Sequence, residues 1–176
     1  MRWVATRDRR PSWGGNLLWY SCSGSSVGQD GGTVLSRDDC LLLFIGLPGG
    51  KFYTDQIRVM KGMFLLDKEG PQELQNLYEF EPYDYGPFDT QIYRDLDSLE
   101  AQGLIEIRHI AGTNRQVYGL TARGQERADK LMTDAPQSIT AAIRAAKELV
   151  TSRSFTSLLQ YVYSKYPAYA ARTVMR

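Results

Sequence analysis

Residues 88–120 constrain the fold of this 176-residue chain most strongly, because a helical pattern there runs directly into a hairpin pattern. Four apolar residues spaced by four, four and three positions predict a helix over 88–101 with one apolar side: Phe88, Ile92, Leu96 and Leu99. Gly103 is typical of a helix end. The β-favouring runs LIEIRHI and RQVYGL then flank Ala-Gly-Thr-Asn, which predicts two antiparallel strands joined by a short turn.

Two helices are predicted before this unit. Ser36 and the acidic residues after it favour a helix start, and the apolar run CLLLFIGL that follows predicts a short buried helix. PGGKFY predicts a turn. Thr54 is then expected to cap a second helix over TDQIRVMKGMFLLDKEG, which Gly70 and Pro71 end.

The segment from Asn76 to Phe88 shows no sustained period, and we expect irregular structure with one short strand. Within it, Gly86 is suited to a positive φ angle, and Pro87 is expected at the first position of the following helix.

After the hairpin, Thr121 is expected to cap a further helix, and two more apolar stripes predict a pair of helices that Pro167 closes. This order predicts a mainly α (α+β) fold: a winged helix-turn-helix domain over 37–134 and a helical extension over 135–176 that packs on it or dimerises. Residues 1–36 are rich in Gly and Ser, so we expect a disordered tail or upstream sequence translated from a start assigned too early.

The predicted fold suggests which side chains meet DNA, since a winged helix-turn-helix offers its third helix to the major groove. Early outward positions of that helix hold Thr90, Gln91 and Arg94. Gln can pair bidentately with adenine and Arg with guanine. Three further arginines are candidates for phosphate contacts from the hairpin and the helix after it: Arg108, Arg115 and Arg123.

The charge pattern points both ways. Residues 101–176 carry eleven basic and five acidic side chains, whereas residues 37–100 carry six basic and thirteen acidic ones. The 88–101 helix itself contains four acids and one arginine, and phosphates repel such a helix. Asp97 is the most outward of these acids. The alternative is that the helix only closes the fold or docks another protein, because fold alone does not decide function.

An acidic and aromatic segment precedes the helix, with Tyr78, Phe80, Tyr83, Tyr85 and Phe88 interleaved with carboxylates. Tyrosines supply rigid contact area at protein interfaces. The other interpretation is that these rings fill the gap between the second helix and the hairpin.

Other classes of site lack their residues. Two cysteines offer no CxxC spacing, one histidine cannot build a multi-histidine metal site, and PGGK does not continue as a phosphate-binding loop. We therefore expect no catalytic residues, no cofactor and no metal. Without a run of about 18 apolar residues, a cytoplasmic protein that does not bind membranes is expected.

Four sequence blocks carry a resemblance to known proteins: IRVMKGMFLLDKEG, YGPFDTQIYRDLDSLEAQGLI, VYGLTARGQERADKL and YSKYPAYA. In this order they resemble the YwgA-type winged-helix proteins and, more distantly, the SocA (Panacea) antitoxin domains. GLIEIRH and YGLTARG are also similar to PadR-like regulators. The resemblance covers about residues 37–170.

These families imply a small prokaryotic protein without enzymatic activity. The resemblance implies a transcriptional regulator that binds double-stranded DNA or, alternatively, a protein-interaction module such as an antitoxin or adaptor that neutralises a toxin by contact. Winged-helix regulators usually read a two-fold site as a pair, so a homodimer is expected.

Overall fold

Residues 35–47, 53–113 and 115–170 are described by a computed structural model, and they form a mixed α/β fold. Six helices lie in this part of the chain: α1 (Arg37–Gly46), α2 (Gln56–Glu69), α3 (Gln91–Ala101), α4 (Ala122–Asp134), α5 (Gln137–Thr151) and α6 (Phe155–Lys165). Five short strands accompany them: β1 (Thr54–Asp55), β2 (Glu81–Tyr83), β3 (Gly86–Phe88), β4 (Ile105–His109) and β5 (Gln116–Leu120).

Helix α1 is the centre of the core, as its apolar run predicts. All residues from Cys40 to Ile45 are buried. Ser36 and Asp39 form a reciprocal capping box at its start, which confirms the expected helix opening. At its other end the buried amine of Lys147 donates to the Ile45 and Leu47 carbonyls at 2.6 and 2.7 Å. The helix dipole leaves negative partial charge at these carbonyls, which favours a cation, whereas burial opposes the charge and lowers the pKa of Lys147 to about 8.

The predicted hairpin is confirmed as β4 and β5, which pair antiparallel from Ile105↔Leu120 to His109↔Gln116. Strand β1 pairs with the other edge of β5, so the sheet order is β1-β5-β4. Ile105 and Tyr118 are buried against the core. Thr121 caps α4 as expected, since its hydroxyl accepts from the Gly124 N–H.

Helices α5 and α6 bury their apolar stripes in the same core as α1 and α2. The buried residues that they contribute to this cluster are Ile139, Ile143, Ala146, Val150, Leu158 and Val162. Helix α6 ends at Lys165, and Pro167 begins a short 3₁₀ turn, Pro167–Ala170. No helix within the described residues has the length and apolar character needed to cross a bilayer.

Four local predictions are wrong. Asp55, not Thr54, is the N-cap of α2, because Thr54 is taken up by β1, where it pairs with Tyr118. Helix α3 begins at Gln91 rather than at 88. Pro87 and Phe88 lie in β3 instead, which pairs with β2 through Pro82↔Pro87. The segment expected to hold one strand therefore holds two, and Gly86 in it has the expected positive φ of 85°.

The predicted tail over residues 1–36 lies outside the described residues apart from its last two positions, and so does most of the predicted PGGKFY turn.

Candidate nucleic-acid interface

Asp89 sets the start of α3. One of its carboxylate oxygens accepts from the Gln91 N–H and the other from the Glu79 N–H, both at 2.7 Å. The N-cap residue is Thr90, yet within the described chain its hydroxyl caps no backbone N–H. Asp89 therefore performs the capping, which leaves the Thr90 side chain exposed at the first turn.

The inner side of α3 is apolar except for one carboxylate. Ile92, Leu96 and Leu99 are buried, as predicted. Between them Asp95, only 6% exposed, accepts hydrogen bonds from three side chains. The donors are Arg37 Nε at 3.0 Å, the Tyr78 hydroxyl at 3.0 Å and Gln91 Nε2 at 2.6 Å.

This Asp95 cluster stabilises the packing of α3 and is not a binding surface. Burial and the neighbouring Asp95 charge raise the pKa of Tyr78, so the phenol remains a donor. The carboxylate thus has a cation and two neutral donors around it, as a buried charge requires.

The outer side of α3 is exposed at Thr90, Arg94, Asp97 and Ser98. Gln91 lies between the two sides and is half-buried. Its amide nitrogen is held by Asp95, and its oxygen accepts from Arg94 at 3.5 Å. To pair with adenine, Gln91 would have to release Asp95. Of the three predicted base contacts, Thr90 and Arg94 are the exposed ones, and Arg94 is held only by its long contact with Gln91.

Arg108 projects from the outer face of the hairpin within a group of three side chains. It contacts Glu106 at 2.9 Å and lies over the Tyr53 ring at 4.5 Å. The Tyr53 hydroxyl also donates to Glu106, at 2.5 Å, and this hydrogen bond lowers the pKa of Glu106. Tyr53 reaches this face because Gly119 has no side chain: a Cβ there would lie 2.4 Å from the ring.

The two other arginines predicted to contact phosphate lie in different parts of the fold. Arg115, just before β5, contacts Asp55 at 3.4 Å, and 61% of its side chain is exposed. Arg123, in the first turn of α4, donates to the Gln102 carbonyl at 3.0 Å, next to the end of α3. The structure thus holds Arg123 against α3 and places Arg108 and Arg115 on the hairpin.

The acidic aromatic segment divides into an inner and an outer part. Tyr78 is buried, and Phe80 packs edge-on against Phe64 of α2 at 5.2 Å, so these rings belong to the core beside α2. Tyr83 and Tyr85, in contrast, are 50% and 44% exposed. Tyr85 has Phe155 of α6 beside it, with 5.8 Å between ring centroids.

Groups suited to catalysis or metal binding are tied into the core. Burial raises the pKa of the Cys40 thiol to about 12, which keeps it protonated. Burial lowers the pKa of Lys61 to about 7, and its amine donates to the Pro87 carbonyl at 2.8 Å. No cluster of three potential metal ligands occurs within residues 35–47, 53–113 and 115–170.

No protein-family model matches the chain, and a comparison with curated proteins finds no related sequence.

Proposed function

We propose that the chain is a winged-helix DNA-binding protein that regulates transcription. Its element order supports the assignment: α1, β1, α2, the paired strands β2 and β3, then α3, β4 and β5, with β1 pairing to β5 in the sheet order β1-β5-β4. In a winged helix the third helix enters the major groove, and the hairpin contacts the backbone beside it. Helix α3 would then be the recognition helix, and the hairpin of β4 and β5 would be the wing.

The observation that carries the proposal is the free outer side of α3 at its start. Residues near the start of a recognition helix contact base edges, and here Thr90 and Arg94 are exposed.

The four acidic residues within 88–101 oppose DNA binding less than their number suggests. Asp95 is buried and compensated, and Asp89 lies before the helix with both carboxylate oxygens bound. Asp97 and Glu100 remain exposed, but they lie in the later turns of α3. Three arginines are proposed for phosphate contacts: Arg108 and Arg115 on the hairpin, and Arg123 beside the end of α3. We further propose a homodimer that reads a two-fold site.

The test is binding of a labelled duplex at low salt by the Arg94→Ala, Arg115→Ala double variant. DNA affinity should fall at least about tenfold, because a base contact and a phosphate contact are both removed. Arg144→Ala, which removes an exposed arginine of α5, is the matched control and should bind as the wild type does. Equal affinity of all three proteins would contradict the proposal.

A second candidate function, a protein-interaction module such as an antitoxin or adaptor, is favoured by Tyr83 and Tyr85, whose exposed rings lie beside Glu81 and Asp84. Replacing both tyrosines with Ser should then abolish protection against a toxic neighbouring gene product while leaving DNA affinity unchanged. If the double tyrosine variant still protects against the toxic product but no longer binds DNA, this candidate is rejected.

A further inference from the structure

A groove of about 710 Å³ lies where four segments of the chain meet. Its walls come from the start of α2, the turn between β2 and β3, the start of β5 and the start of α6. Small-molecule sites in proteins commonly measure about 300–1,000 Å³, so the size suits a ligand of ordinary dimensions.

One wall of the groove is aromatic. Tyr85 and Phe155 meet edge to face with 5.8 Å between their ring centroids. Tyr85 is 44% exposed and Phe155 is 36% exposed. Large apolar rings left this accessible carry a hydration cost that a flat ligand would relieve. Offset or edge-on contact with a third ring is the geometry that aromatic side chains prefer.

The start of α2 contributes a fixed, neutral ion pair to the groove, Asp55 with Arg58. Asp55 accepts from the Arg58 N–H at 3.1 Å as the cap of α2 and is also bound by the Arg58 guanidinium. The other guanidinium nitrogens of Arg58 donate to the Val150 and Arg153 carbonyls at 3.0 and 2.8 Å. Arg58 is therefore committed to holding α2 against the end of α5.

Arg115 is different. Its side chain is 61% exposed, and its contact with Asp55 is long, at 3.4 Å. Among the described residues, the charged side chains of the groove are Asp55, Arg58 and Arg115, so the walls carry one excess positive charge. A guanidinium in this state presents several N–H donors to an incoming anion and can bind it in a bidentate way.

We propose that this groove binds a small organic anion with a flat ring. The ring lies against Tyr85 and Phe155, and the anionic group, a carboxylate, sulfonate or phosphate, is bound by Arg115. Since Arg115 is also one of the phosphate contacts proposed above, the bound anion competes with DNA. That last step rests on the proposed function, whereas ligand binding itself does not.

The test uses 1-anilinonaphthalene-8-sulfonate, which joins flat rings to one sulfonate, and N-phenyl-1-naphthylamine, which has the rings without the charge. Fluorescence titration of the full chain without DNA should give one saturable sulfonate site. Arg115→Gln should weaken the sulfonate probe about tenfold and leave the neutral probe unchanged, because only the charge-assisted contact is lost. Arg144→Gln is the matched control.

Phe155→Ala and Tyr85→Leu should weaken both probes, and the two substitutions check each other if one of them perturbs folding. Equal affinity of the sulfonate probe for the Arg115→Gln and Arg144→Gln variants would overturn the proposal. So would unchanged binding of both probes to the two wall variants. A protein that binds the probe but no DNA would support the groove and reject only the proposed regulator function.

Discussion

On the inner side of α3, Asp95 accepts hydrogen bonds from Arg37, Tyr78 and Gln91, whereas on the outer side Asp97 is exposed two residues later. Both residues are aspartates of α3, but their carboxylates lie in different environments. One fixes the helix to α1 and to the segment before it, and the other faces the surroundings. The net charge summed over the sequence of a helix therefore differs from the charge on the surface that a ligand contacts.

The largest expected effect is on the inner side. Asp95→Ala should lower the free energy of unfolding by about 3 kcal/mol, because it leaves the buried Tyr78 hydroxyl without its acceptor and Arg37 without its partner. Urea denaturation measures this loss. Asp97→Ala is the matched control and should stay within about 0.5 kcal/mol of the wild type. Similar losses in both variants would remove the distinction between the two sides.

A second inner support is Lys61, whose amine holds the Pro87 carbonyl just before α3. Burial lowers its pKa from 10.5 to about 7, so between these values the folded chain binds fewer protons at this site than the unfolded chain. The cost of burying the charge is complete below pH 7 and is relieved as pH rises toward 10.5. Stability should therefore rise by up to about 1.4 kcal/mol per pH unit in this window.

Lys61→Met tests this expectation, because it removes the titrating amine from the same space. The rise in stability between pH 7 and 10 should be reduced in this variant and kept in Lys130→Met, which replaces an exposed lysine of α4. Parallel pH profiles of the wild type and Lys61→Met would show that the amine is not buried as described.

The smallest effect is expected on the outer side. The double variant Asp97→Asn, Glu100→Gln should bind duplex DNA about two- to threefold more tightly, because two exposed negative charges are removed from the helix that approaches phosphate. Anisotropy titration at constant salt measures the change. Its stability should match that of the wild type, and weaker DNA binding would indicate that α3 is not the approaching helix.

The local parts of the fold could be read from the sequence. The apolar stripe of α3, the hairpin over β4 and β5, and the caps at Ser36 and Thr121 all depend on residues a few positions apart. Periodicity and side-chain capping act over this range, so one sequence is enough to see them.

The rest depends on residues distant in sequence. Arg37 and Asp95 are 58 positions apart, and nothing near Asp95 distinguishes it from Asp97 except its place closer to the apolar stripe. Gln91 was expected to be free for a base, but its amide is drawn inward by that same carboxylate. The groove combines residues from four segments, and no local sequence pattern predicts that Phe155 contacts Tyr85.

The most direct test of the central claim is the salt dependence of DNA affinity. If Arg108, Arg115 and Arg123 each neutralise a phosphate, the logarithm of the association constant should fall against the logarithm of salt concentration with a slope of about −2.7 per protomer. In the Arg94→Ala, Arg115→Ala variant the slope should be shallower by about one, because Arg115 is the phosphate contact that it removes. A slope near zero, or one that is the same in both proteins, would contradict the account of α3 and its hairpin as a DNA-binding surface.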